Sequence, residues 1–264
     1  MQYRESRESI ALANKAFARA ISATDVAAEG WARLTRGYYR MRYETPGEAI
    51  EELGQAQRCF DAAEDRAGHI LAATGIARCW WLQGKVRDSL DLALPLRDEG
   101  LRVLKHEERG MLLNIIAGGY SSLGQSAEAF AYLYQALRES SPARGHGFDV
   151  VLFANLADEL YQLGDYFEAL QYINEGIERC DRLQNAHLLS VLLVNRIVCL
   201  TDLNRPHDAM PDVRRLLALP ANSSGRGSES PNFETMAIAA LRAGEIGLGA
   251  ELVAHAAQGQ MKGA

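Results

Sequence analysis

Apolar positions along the chain recur at helical spacing, and the helices they define recur every 40 residues. Ile76 and Trp80, Ile116 and Tyr120, and Leu156 and Leu160 each stand four apart, one turn along a single helix face. Leu133, Ile173, Val213 and Val253, spaced by 40, line a second helix. Between the two stripes falls a turn residue: Gly84, Gly124, Gly164, Asn204 and Gly244. Glycine or asparagine at that point suits the left-handed backbone that ends a helix.

Two columns of small residues keep the same register. Five residues after each turn stand Ser89, Ala129, Ala169, Ala209 and Gly249, with Ala49 in the same column. Twelve residues before them come Gly37, Ala77, Ala117, Ala157 and Ala237, interrupted by Ile197. Antiparallel helices approach closely only where the facing side chains are small, so the columns mark the crossing of two helices within each unit. One hairpin cannot bury both of its faces, and the units must therefore stack. The pattern predicts an all-α solenoid in a single domain, 1–264. A half repeat covers 4–22, and helix pairs occupy about 27–63, 67–104, 107–140, 147–183, 187–219 and 232–260. Ser140-Ser141-Pro142 ends one second helix, and Pro220 to Pro231 reads as a flexible loop. The sixth pair, with Gly244, Gly247 and Gly249, is expected to be the least stable and to fray at Lys262-Gly263-Ala264.

These residues resemble the tetratricopeptide repeat family. The third pair carries Leu113, Ile116, Ala117, Tyr120, Ala129, Leu133 and Ala136 in the family's large, small and aromatic positions. The fourth carries Phe153, Leu156, Ala157, Leu160, Ala169, Ile173 and Gly176. In the second, Leu96 stands where a small residue is usual. Arg33, Arg36 and Arg40 in the first pair, and Arg196 with Ile197 in the fifth, depart from the pattern and predict less regular packing. The resemblance implies a right-handed solenoid. The 40-residue unit is similar to that of bacterial regulators, where such arrays sit beside diguanylate cyclase, histidine kinase or DNA-binding domains, and to peptide-binding adaptors.

The resemblance also implies that first helices line a concave groove. Tyr38, Thr74, Arg78, Trp81, Asn114, Ser121, Asn155, Asp158, Tyr161 and Asn195 fall on that face by register. Asparagine is a mediocre helix former, because its amide competes with the backbone for hydrogen bonds. Three such residues on one face therefore ask for a reason. Either their amides pair with the N–H and C=O groups of an extended peptide, or they bridge neighbouring helices or meet water. Tyr38, Trp81 and Tyr161 face the same choice between anchoring a ligand and packing between first helices. Chaperone-tail binders of this family hold a terminal carboxylate with lysines at set positions. Here those positions hold Leu34, Tyr38, Thr74, Arg78, Asn114 and Gly118, with no lysine.

Composition narrows the function further. The net charge of −6 and the lack of a basic tract give no nucleic-acid footprint. No apolar run reaches spanning length, so no membrane segment is expected, and the start lacks a signal-peptide core. Cys59, Cys79, Cys180 and Cys199 show no paired spacing, which fits inert thiols in a reducing cytoplasm. The six histidines carry no metal-binding spacing, Glu51-Glu52 reads as solvated surface, and no nucleotide or nucleophile motif appears. The expectation is a non-catalytic cytoplasmic module, without metal or cofactor, that binds a protein or extended peptide. Two alternatives accompany it: the regulatory region of a bacterial signalling protein whose output domain is not in this sequence, and a homodimer formed through terminal apolar residues such as Ile10, Phe17 and Ile21.

Overall fold

The computed structural model describes residues 6–140, 147–219 and 232–262. The loop expected over 220–231, Ser141-Pro142 and the Gly263-Ala264 end lie outside the described residues. The chain divides into two compact units, 1–146 and 147–264. Among the described residues every regular element is helical.

The first unit opens with the lone helix α1 (Ser6–Ala23). Then come the hairpin α2 (Val26–Tyr43) with α3 (Pro46–Ala62), and α4 (Arg66–Leu82) with α5 (Val86–Ala93) and α6 (Arg97–Val103). The hairpin α7 (His106–Ser122) with α8 (Ser126–Glu139) closes the unit. The second unit holds α9 (Phe148–Gln162) with α10 (Tyr166–Leu183), α11 (Ala186–Asp202) with α12 (Pro206–Leu217), and α13 (Phe233–Arg242) with α14 (Ile246–Lys262). Within each unit, consecutive helices pack antiparallel, apart from α5 and α6, which follow one another as two parts of one second helix, and a first helix also contacts the first helix before it. This is an all-α helical repeat.

Local chemistry sets the helix ends. Asp25, Asp65, Asp165 and Asn185 each accept a hydrogen bond from the backbone N–H three residues on. Thr45 and Glu48 form a reciprocal capping box in front of α3, with Pro46 at its first position. Inside the hairpins, Gly84, Gly124, Gly164, Asn204 and Gly244 all adopt left-handed backbone, with φ between 58° and 81°. The turns between hairpins use the same conformation at Thr24, Glu64 and Gln184, which side chains normally avoid.

Both small columns are buried throughout, including Ile197 in the position that breaks the pattern. The closeness of the crossing is visible at Gly37, where an added Cβ would lie 2.6 Å from the Leu53 side chain. The second helix of the second pair is broken: Leu94–Leu96 forms a 3₁₀ turn between α5 and α6. Pro95 removes a backbone donor there, and Leu96 puts a large side chain into the small column.

The arginines of the first and fifth pairs pack in an ordered way, which corrects the expectation of irregularity. Arg33, Arg36 and Arg40 on α2 converge on Glu52 of α3, which is 5% exposed; the N···O distances are 3.2, 3.4 and 3.7 Å. Glu52 is therefore a buried ion-pair partner, whereas Glu51 is exposed. Arg33 and Arg36 also stack over the Phe17 ring of α1, each 4.7 Å from its centroid. In the fifth pair, Arg196 makes a two-pronged pair with Asp212, 2% exposed, and donates to Asn174 Oδ1 at 2.9 Å. Glu52, Tyr132, Tyr172 and Asp212 share one register position. The same crossing is thus filled by acid against arginine in two pairs. In the other two it is filled by rings, Tyr132 against Tyr120 at 5.5 Å and Tyr172 against Phe153 at 6.0 Å.

Candidate peptide-binding face

The first helices of each unit present a polar and aromatic face, and the register fixes which side chains reach it. In the first unit Tyr38, Arg78, Trp81 and Asn114 project from α2, α4 and α7. Tyr38 is half-buried; its hydroxyl donates to the Leu71 carbonyl of α4 at 3.1 Å, and its ring lies against Gly75. Burial holds the phenol well above its ordinary titration range, partly offset by the nearby Arg78 charge. Arg78 itself is exposed. Trp81 rests on Gly118 of α7, and its indole N–H donates to Ser122 Oγ at 2.8 Å.

The second unit repeats the arrangement. Tyr161 of α9 donates its hydroxyl to Asp202 Oδ2 of α11 at 2.7 Å. That bond to the carboxylate, with burial second, pushes the phenol up to about 12. One helix further on, Arg242 of α13 donates to the Thr201 carbonyl at 3.2 Å, and its guanidinium lies 3.6 Å from Asp202. Trp81 to Ser122, Tyr161 to Asp202 and Thr201 to Arg242 are each separated by 41 residues, one repeat plus one position. Within the units, aromatic side chains of this face therefore tie α2 to α4, α4 to α7 and α9 to α11, Tyr38 doing so through a main-chain carbonyl.

The amides lie beside this seam. Asn155 on α9 and Asn195 on α11 occupy the same register position, and both are half-buried, as is Asn114 on α7. Asn114 and Asn155 are each engaged with a neighbouring group. Asp158, one turn beyond Asn155, is exposed. Its carboxyl is nonetheless raised above the usual range, first by the dense surroundings and then by the neighbouring Glu159. Thr74 is not on the face: it is buried and donates to the Ile70 carbonyl at 2.7 Å. Its register position points into the helix packing rather than outward. The partners Ser122, Asp202 and Arg242 escape a sequence reading, because what identifies them is a neighbour 41 residues away.

Among the described residues no group of three or more His, Cys, Asp or Glu side chains could hold a metal ion. No described helix is long and apolar enough to cross a membrane. All four cysteines are free. Burial pushes Cys79 and Cys199 up to about 11 and Cys180 to about 12, so none is poised as a nucleophile.

The repeated hairpins, the buried small columns and the aromatic seam define an α-helical repeat protein of the solenoid class. Within that class the chain has the tetratricopeptide-type fold. No family model matches the sequence, and no curated protein matches it. Solved structures match its fold. The structure of BtubC from P. vanneervenii superposes with a TM-score of 0.65 at 16% identity, over 99% of this chain and 94% of that one. A Rap protein in complex with Competence and Sporulation Factor gives 0.70 at 16% identity, over 85% of this chain and 63% of that one. Bacillus thuringiensis PlcR, solved with the peptide PapR7 and DNA, gives 0.59 at 17% identity, over 71% and 68%.

Proposed function

We propose that the first-helix face binds an extended peptide or protein segment, without catalysis. In the second unit it uses Asn155, Asn195, Asp158 and Tyr161, and in the first Tyr38, Arg78, Trp81 and Asn114. The observation that carries the reading is the pair Asn155 and Asn195: two helix-disfavoured amides, one repeat apart, half-buried at one register position beside the aromatic seam. Successive amides at repeat spacing suit an extended backbone, which offers donors and acceptors at regular intervals. The PlcR structure solved with the peptide PapR7, and the Rap structure solved with Competence and Sporulation Factor, support the use of this fold to bind a partner. Four free thiols favour a reducing compartment such as the cytoplasm.

The test is capture from native lysate, comparing the wild type with an Asn155→Ala, Asn195→Ala variant by mass spectrometry. A partner retained by the wild type and lost from the variant is the expected result. Equal capture by both proteins would remove the amides from the mechanism. A second reading, the sensory part of a larger signalling protein, draws on a STAND protein with a tetratricopeptide repeat sensor. This chain matches 36% of that protein's length, with a TM-score of 0.63. The reading frame beyond Ala264 decides it: an output domain there is the expected finding, and a stop codon would end it.

A further inference from the structure

One register position on the first helices runs through Tyr38, Arg78, Gly118 and Asp158. Tyr38 and Gly118 belong to the packing, the first bonded to the Leu71 carbonyl and the second lying under Trp81. Arg78 and Asp158 are exposed instead, and they carry opposite charges. Elsewhere on α4, α7, α9 and α11 the charged side chains are engaged, Glu159 excepted. Arg66, Arg109, Asp149, Arg196 and Asp202, for example, each form an ion pair with another helix. Arg78 and Asp158 form none among the described residues. Asp158 is bonded there to Gln162, one turn along its own helix.

Glu159, the next residue, adds to the imbalance. It is 5% exposed and makes neither a hydrogen bond nor an ion pair through its side chain among the described residues. The other acids buried as deeply, Glu52, Asp149 and Asp212, each face an arginine. A buried carboxylate without a cation is costly. Its charge also bears on Asp158, whose carboxyl is raised first by its surroundings and then by Glu159. A cation brought to Asp158 relieves both. The charge balance of the two units points the same way. Residues 1–146 carry 19 basic and 19 acidic side chains, whereas 147–264 carry 9 and 15. The whole net charge of −6 therefore lies in the unit that holds Asp158.

We infer that the first-helix face selects its peptide by charge: the second unit accepts a lysine or arginine side chain at Asp158, and the first accepts an aspartate or glutamate side chain at Arg78. Such selection presupposes the peptide-binding role proposed above for the same face. The amides contact an extended backbone, which every sequence offers alike. An acid and a base left open at one register position supply what the amides lack, a preference for one sequence over another. Neither charge has to break an existing ion pair to meet its ligand, and both are exposed enough to be reached.

The experiment uses a library of random peptides displayed on phage, selected in parallel on the full chain and on its charge-reversed variants. Far-UV circular dichroism checks the folding of each. The wild type should enrich peptides that carry a lysine or arginine and an aspartate or glutamate. Asp158→Lys should lose the preference for bases, and Arg78→Glu the preference for acids. In fluorescence anisotropy, a peptide selected through its base should bind Asp158→Lys at least about tenfold more weakly than the wild type. Changing that base to glutamate should restore affinity for Asp158→Lys, a compensation that a purely structural role for Asp158 does not give. The charge selection fails if peptides lost by Asn155→Ala with Asn195→Ala bind both charge-reversed variants as tightly as the wild type, or if the exchange restores nothing. The peptide-binding face then stands without it. If the wild type enriches no peptide that the double asparagine variant loses, the proposed function fails and the charge selection falls with it.

Discussion

Among the six residues of its column from Ala49 to Gly249, Ser89 alone carries a hydroxyl; the others are alanine and glycine. It is fully buried at the helix crossing, and its Oγ finds no hydrogen-bond partner among the described residues. A buried hydroxyl without a partner costs about 1–3 kcal/mol, so Ser89→Ala should raise stability by about 1 kcal/mol, read as a higher urea midpoint. A lower midpoint would mean that the hydroxyl is bonded after all. The thiols make a second prediction at this scale. Cys79, Cys180 and Cys199 are buried and their pKa values are raised, so above pH 8 they should still react slowly with iodoacetamide in the native protein. Half-buried Cys59 should label first, and all four should label once the chain is denatured; mass spectrometry of the adducts separates these cases. Fast native labelling of Cys180 would contradict the packing. Sequence and structure meet unevenly at single residues. Gly84 and Gly124 announce a left-handed turn because glycine is the residue that accepts it freely. Thr24, Glu64 and Gln184 adopt the same conformation without announcing it, since tertiary packing imposes it on residues that do not prefer it.

At the scale of elements, the 40-residue register explains which helices meet, and the structure adds how the crossing is filled. Arginine against acid in the first and fifth pairs, and ring against ring in the third and fourth, occupy equivalent space. The arginines were legible as departures from an apolar stripe. Their partners were not, because Glu52 lies beside Glu51 and looks like ordinary surface until α3 folds onto α2. Removing one member of a buried pair strands the other charge, so Asp212→Ala should cost about 3–5 kcal/mol. Combining Arg196→Leu with Asp212→Tyr, the chemistry of the fourth pair, should recover most of that loss. Thermal denaturation of the two variants measures the difference. If the combined variant is no more stable than Asp212→Ala alone, the equivalence of the two fillings is wrong. The aromatic seam teaches the same lesson. Tyr38, Trp81 and Tyr161 were recognisable as residues of the first-helix face, but a sequence does not show that their polar ends are already taken by the next helix.

For the molecule as a whole, the first-helix face of each unit carries an aromatic seam with amides beside it. The aromatics and their partners Leu71, Ser122 and Asp202 hold neighbouring first helices at fixed spacing. Asn155 and Asn195 then sit one repeat apart on that rigid support. Rigidity matters because a site whose amides are already placed spends less of its binding free energy on ordering them. The repeat, its turns and the asparagine positions were readable because each depends on a local requirement repeated at fixed spacing. The exposure of Val253 was not, since it looks like every other member of an otherwise buried column. The central claim is that the amides bind, and calorimetric titration with a peptide from the captured partner tests it most directly. Two net hydrogen bonds are worth about 1 kcal/mol each, so Asn155→Ala with Asn195→Ala should weaken binding by about tenfold or more, with the melting temperature nearly unchanged. An affinity equal to that of the wild type, in a variant that remains folded, would contradict the account.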